Sequence, residues 1–163
     1  MKTISFFGHR EIFNKNAVKQ RLLKELERLI PQGYTKILIG YHGSFNALSL
    51  SVCLYYKRNV NKNININVVF TSFSLLKKDE YGNSRIDFYK DNDCETLFYD
   101  IEDIHYKNRI TYSNKKMVDE SDIIICYVDM NSYKSGAKTA VKYALKQNKK
   151  VINLYDKDDK YKY

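Results

Sequence analysis

The stretch that decides the fold is Ser121–Leu154, which reads S-D-I-I-I-C-Y-V-D-M-N-S-Y-K-S-G-A-K-T-A-V-K-Y-A-L-K-Q-N-K-K-V-I-N-L. Ile123 to Val128 is an unbroken apolar and aromatic run with no polar alternation, the pattern of a strand covered on both faces in a parallel sheet. After a polar loop comes Gly136, then Ala137, Ala140, Val141, Ala144 and Leu145 at helical spacing, with Lys138, Lys142 and Lys146 on the other side. Val151 to Leu154 is apolar again. Strand, loop, helix and strand make a βαβ unit whose loop runs from the strand's C-terminal end onto a helix N-terminus. That geometry presents free backbone N–H groups and a positive dipole end to an anion, and a glycine there lets a ligand approach the backbone. The alternative is a scaffold crossover whose loop binds nothing.

Working outward, Lys2–Phe7 reads as a strand ending in Gly8-His9-Arg10, and Ala17 to Ile30 as an amphipathic helix stopped by Pro31. Lys36 to Tyr41 is a second buried strand that runs into His42-Gly43-Ser44-Phe45-Asn46 and a helix from about Ser44 to Tyr56, and Asn65 to Phe70 is a third strand. Residues 72–103 lose this rhythm and read as an irregular excursion over the strand ends, with room for short pieces of structure, either functional or partly mobile. Ser113 to Glu120 reads as a short helix capped by Ser113, and the charged tail, 156–163, as frayed. The expected architecture is one domain over residues 1–163, a Rossmann-like doubly wound α/β fold with a parallel sheet of about five strands. Of six glycines, Gly8, Gly40, Gly43 and Gly136 stand at strand ends, which meet along one edge of such a sheet.

The formal charge of +9 (28 Lys+Arg against 19 Asp+Glu) favours phosphorylated partners, although lysine, asparagine, isoleucine and tyrosine are abundant throughout. No apolar run has the length of a membrane span, and the N-terminus does not read as a signal peptide. Cys53, Cys94 and Cys126 have no metal-ligand spacing and read as reduced core residues, which points to a cytoplasmic protein with no metal and no cofactor.

Four motifs in order, F-F-G-H-R at Phe6–Arg10, G-Y-H-G-S-F-N-A-L at Gly40–Leu48, N-R-I-T-Y-S-N-K-K-M-V-D-E-S-D-I-I-I-C-Y-V at Asn108–Val128 and S-G-A-K-T-A-V-K-Y-A at Ser135–Ala144, resemble the SLOG superfamily, more closely its DUF1273/YpsA-like branch. The resemblance spans the chain except roughly 72–100. It implies a Rossmann-like sheet, a homodimer or higher homo-oligomer, and a nucleotide-type small molecule at the loops named above. Relatives of that superfamily include LOG phosphoribohydrolases, the DNA-uptake protein DprA and sensors of nucleotide-derived immune signals. Gly8, His9 and Arg10 match the first motif. Gly40 and Gly43 match the second, with Asn46 at a position that is usually aspartate. Asn114 and Met117 match the third, with Ser113 at the usual arginine, and Gly136, preceded by Ser135, keeps one of two usual glycines. Thr139 matches a threonine of the LOG motif, but no glutamate occurs between Glu120 and Tyr163 to match the LOG catalytic residue.

The candidate ligand-binding set is therefore Gly8, His9, Arg10, Gly40, Tyr41, His42, Gly43, Asn46, Arg109, Asn114, Ser135, Gly136, Ala137 and Thr139, with no catalytic residue assigned. For His9 the alternative is a structural tie, for Asn46 a helix cap, and for Arg109 and Asn114 the pocket rim or a purely structural role. Tyr41, Tyr112 and Tyr133 are each candidates to stack on a base. The expected function is binding of a mononucleotide, an ADP-ribose derivative or a cyclic nucleotide signal, as a sensor or a sequestering protein in bacterial or phage conflict. One alternative is a nucleotide N-glycosidase with Asp79, Glu80, Glu95 or Glu102 folded over the pocket. Another is DprA-like single-stranded DNA binding.

Overall fold

The computed structural model describes residues 1–161. In chain order the elements are β1 (Lys2–Gly8), α1 (Lys15–Leu29), β2 (Tyr34–Gly40), α2 (Ser44–Asn59), β3 (Asn65–Phe70), α3 (Arg85–Asp91), β4 (Glu95–Phe98), α4 (Arg109–Glu120), β5 (Ile123–Tyr127), α5 (Gly136–Lys146) and β6 (Lys150–Asn153). They form a six-stranded sheet in the order β4-β3-β2-β1-β5-β6, with every pairing parallel. The expected doubly wound α/β architecture is present, with one strand more than expected.

That strand lies in the excursion. Residues 72–103 carry three short pieces of regular structure between loops: a 3-10 turn at Phe73–Leu76, α3 and β4, which take the chain from β3 to the sheet edge. The segment reads as loop because α3 has seven residues and buries Ile86 alone, while β4 contributes only four, none of them fully buried.

Strand alternation divides the core in two. Ile4 and Phe6 of β1, Ile37 and Ile39 of β2, and Ile123, Ile125 and Tyr127 of β5 pack with α1, α2 and α3. Phe7, Leu38, Ile124 and Cys126 face the other way, onto Met117 and Val118 of α4 and Ala140, Val141 and Ala144 of α5. Every residue of β5 is buried, as its unbroken apolar run requires. Leu145, expected inward, is 52% exposed, because α5 presents only its small residues to the sheet. In α1 the residues Val18, Leu22, Leu26 and Leu29 form one buried stripe. Asn14 caps that helix, accepting from the Ala17 N–H, and Gly33 at φ 94° turns the chain after Pro31.

Two further expectations are corrected. α4 begins at Arg109, so Ser113 is not its cap but a buried residue inside it. The tail from Asp156 is tied down at Asp159, which is 1% exposed and whose carboxylate takes both guanidinium nitrogens of Arg21, at 2.6 and 2.9 Å, and the Tyr127 hydroxyl at 2.9 Å. Residues 162–163 of the expected frayed tail lie outside the described residues. All three cysteines are buried and free; burial pushes the Cys126 thiol up to about 12 and Cys94 to about 11, which leaves them unreactive core thiols.

Candidate functional site

From β1 the chain moves outward through β2 and β3 to β4, then returns across the sheet to place β5 on the other side of β1. The switch point of the winding is therefore the β1–β5 boundary, and ligands of doubly wound sheets sit beyond the strand ends there. At this point the structure has a cleft of about 440 Å³. Its walls are Gly8, His9 and Arg10 after β1, Gly40, Tyr41, His42 and Asn46 after β2, and Ser135, Gly136 and Ala137 where α5 begins. Asn114 and Met117 of α4 form its base.

His9 ties the switch point together. Its N–H donates to the Tyr127 carbonyl at 3.1 Å, and its Nε2 accepts the Asp129 N–H at 2.8 Å. An accepting Nε2 carries no proton, so the neutral ring has its hydrogen on Nδ1. Burial lowers the pKa of His9, opposed by the nearby Asp129 carboxylate, and the neutral form is the one this bond needs. Of the two readings weighed for His9, the structure contains the tie, made through Nε2, in a residue that also lines the cleft.

Gly8 also has a structural reason for being glycine. A Cβ there would collide with the Cβ, Cγ and Cδ1 atoms of Phe45, a ring buried between Phe6 and Tyr127. Gly136 is the opposite case: a Cβ would meet no protein atom within 4 Å. Ser135 caps α5 by accepting the Lys138 N–H at 3.1 Å, and its carbonyl accepts the Thr139 N–H and hydroxyl. The N–H groups of Gly136 and Ala137 have no partner among the described residues. Two backbone donors at the positive end of an 11-residue helix thus stand at the cleft wall.

Asn46 does not cap α2, a position held by Gly43. Its amide nitrogen donates to the His42 carbonyl at 2.8 Å, leaving its Oδ1 buried and without a partner. Gly40 allows this placement, because a Cβ there would lie 3.1 Å from the Asn46 amide nitrogen. Tyr41 is held by its hydroxyl, 3.3 Å from the Thr71 Oγ1, and by rings of His42 and Phe70 at 3.9 and 5.2 Å. The other tyrosines considered, Tyr112 and Tyr133, do not line the cleft. The charges that do are Arg10 and Lys107, and no carboxylate is among the lining residues. The pKa of His42 is lowered, first by burial and then by Arg10 and Arg85, so the unliganded cleft resists a further positive charge.

Three expected site residues stand outside the wall. Gly43, at φ 88°, packs against the Arg10 backbone. Arg109 donates to the Ile104 carbonyl at 2.9 Å and lies over the Phe73 ring. Thr139 faces an adjoining groove. None of Asp79, Glu80, Glu95 and Glu102 reaches the cleft either, because their segment runs to the sheet edge. The site residues absent from the sequence reading include Lys107, Ile110, Thr111 and Thr71. Ile110, Asn114 and Met117 recur at i, i+4 and i+7, a signal that extends α4 by a turn and brings Ile110 and Thr111 into view.

Compared with known proteins, the chain matches no protein-family model and no curated protein.

Proposed function

We propose that this protein binds a nucleotide or nucleotide-derived signal in the cleft, with a phosphate on the Gly136 and Ala137 N–H groups. The observation that carries the reading is that pair of unpartnered donors opening α5 in a cleft without carboxylates. The orphaned Asn46 Oδ1 adds an acceptor for an amino or hydroxyl group of the ligand, and the Tyr41 ring adds an aromatic face. The absence of a lining carboxylate favours binding over acid–base cleavage of a glycosidic bond, which needs a proton-transferring group within hydrogen-bond reach. The role is then a sensor or a sequestering protein, and the resemblance to the SLOG superfamily is what suggests bacterial or phage conflict as its setting.

The test is calorimetry with AMP, ADP-ribose and a cyclic dinucleotide on the parent and Gly136→Val. A valine side chain meets no protein atom through its Cβ and occupies the approach to the two donors. Binding weakens at least tenfold, about 1.4 kcal/mol, while the melting temperature stays near that of the parent. Lys24→Ala, on the exposed face of α1, is the control. A folded Gly136→Val protein that binds as well as the parent overturns the phosphate assignment.

A further inference from the structure

Beside the cleft lies a second hollow of about 370 Å³ between α4 and α5, lined by Lys115, Lys134, Lys138, Lys142 and Lys146 together with Thr139 and Tyr143. Four of these lysines recur every fourth residue along one row, from the loop before α5 to its last residue. Like charges at i, i+4 oppose each other and weaken a helix. None of the five makes an ion pair among the described residues. Lys138 donates to the Ser132 carbonyl at 2.6 Å, and Lys115 lies over the Tyr143 ring at 5.6 Å. The acid at the far edge, Asp119, is engaged by the Tyr143 hydroxyl at 2.7 Å. The hollow is thus a concentration of lysine charge without ion pairs among the described residues, held in a concave surface with one carboxylate, Asp119, at its edge.

It is also continuous with the cleft. One small depression is shared by Thr111, Asn114 and Gly136 on the cleft side and by Lys115, Thr139 and Tyr143 on the groove side. From Lys138 to Lys146 the row is about 12 Å long at the helical rise, more than one phosphate group fills.

We propose that this lysine groove is a second anion site, and that the ligand class is a nucleotide carrying further phosphate groups beyond the one at Gly136. The first phosphate rests on the function proposed above; the groove rests on its own charge and shape. Two sources share this chemistry, a nucleoside polyphosphate and a short 5′-phosphorylated oligonucleotide.

The experiment is calorimetry on the full chain with AMP, ATP, 5′-phosphorylated diadenylate and inorganic tripolyphosphate, at low and raised salt. ATP or the diadenylate binds at least tenfold tighter than AMP, and the advantage shrinks as salt rises because lysine–phosphate contacts release counterions. In Lys142→Ala/Lys146→Ala the ratio of ATP or diadenylate affinity to AMP affinity falls towards one. In Lys19→Ala/Lys24→Ala, which removes the same charge from α1, the ratio stays. Whichever of ATP and the diadenylate shows the larger groove-dependent advantage identifies the source. Melting curves establish that each variant is folded. AMP binding as tightly as the longer ligands, or a ratio untouched by the groove variant, overturns the groove and leaves the cleft reading standing. Tripolyphosphate held by the groove with no AMP binding supports the groove and sinks the nucleotide reading. Silence from all four probes overturns both.

Discussion

Arg21→Ala removes the contacts that close the tail onto the sheet, the buried pair with Asp159 and a looser ion pair, at 3.7 Å, with Asp156. In the parent, Arg21 grips both carboxylate oxygens of Asp159, and one of the same nitrogens also donates to the Leu154 carbonyl at 2.9 Å. The Asp159 side chain is 1% exposed and that of Arg21 27%. Removing one partner of a fully buried pair costs about 3–5 kcal/mol, because the other charge is left unpaired in a poor solvent. The exposed part of the Arg21 guanidinium is already screened by water, which reduces the expected cost to about 2–3 kcal/mol. For a domain of this size that lowers the melting temperature by about 4–12 °C.

The pH dependence gives the prediction a second edge. The Arg21 hydrogen bonds hold the Asp159 carboxyl below its ordinary pKa, with burial opposing and the Tyr127 bond assisting. A lowered folded-state pKa contributes stability above the unfolded pKa, and that stability is lost as pH falls through the folded value. The gap between parent and Arg21→Ala is therefore widest at neutral pH and closes in acid. Asp159→Asn, which keeps an acceptor for Tyr127 and lets Arg21 turn to water, costs less. Thermal melts from neutral to acid pH decide the matter. A neutral-pH melting temperature within a degree of the parent, or a gap that does not narrow in acid, refutes the account of Asp159 as a paired buried carboxylate.

Gly8→Ala overpacks the Phe45 site and destabilises by about 2–3 kcal/mol, towards the upper part of the range for such insertions; an unchanged denaturant midpoint would show that the ring has room to move. The pKa of His42, lowered in the free protein by burial and by Arg10 and Arg85, moves up when AMP saturates the cleft, since a phosphate anion favours the imidazolium. Proton NMR titration of the ring reads this directly, and an unchanged or further lowered value counts against a phosphate near that loop.

The parts of the fold that were legible in the sequence are those whose burial is complete. Ile123–Val128 has no polar interruption because both faces of β5 are covered, and the α1 stripe is regular because one face carries all its packing. β4 and α3 were illegible for the converse reason, since an edge strand and a two-turn helix bury too little to impose a pattern. At the site, strand-end glycines marked the right edge of the sheet but not their own reasons. Gly8 answers to Phe45, Gly43 to Arg10, and Gly136 alone opens onto free space. Asp159 was unreadable because a buried acid looks like any charged tail residue until its partner, 138 positions away, is known.

The strand order also governs how the chain is assembled. Ile4 pairs with Ile123, so the central strand waits 119 residues for one of its neighbours. At ribosomal speeds of about 5–20 residues per second that is roughly 6–24 s during which β1 has one edge unpaired. An apolar strand with an open edge is a template for adding a foreign strand. A nascent chain halted before Ile123 therefore keeps that edge of β1 open, and docking of Ile123–Tyr127 is the step that closes it.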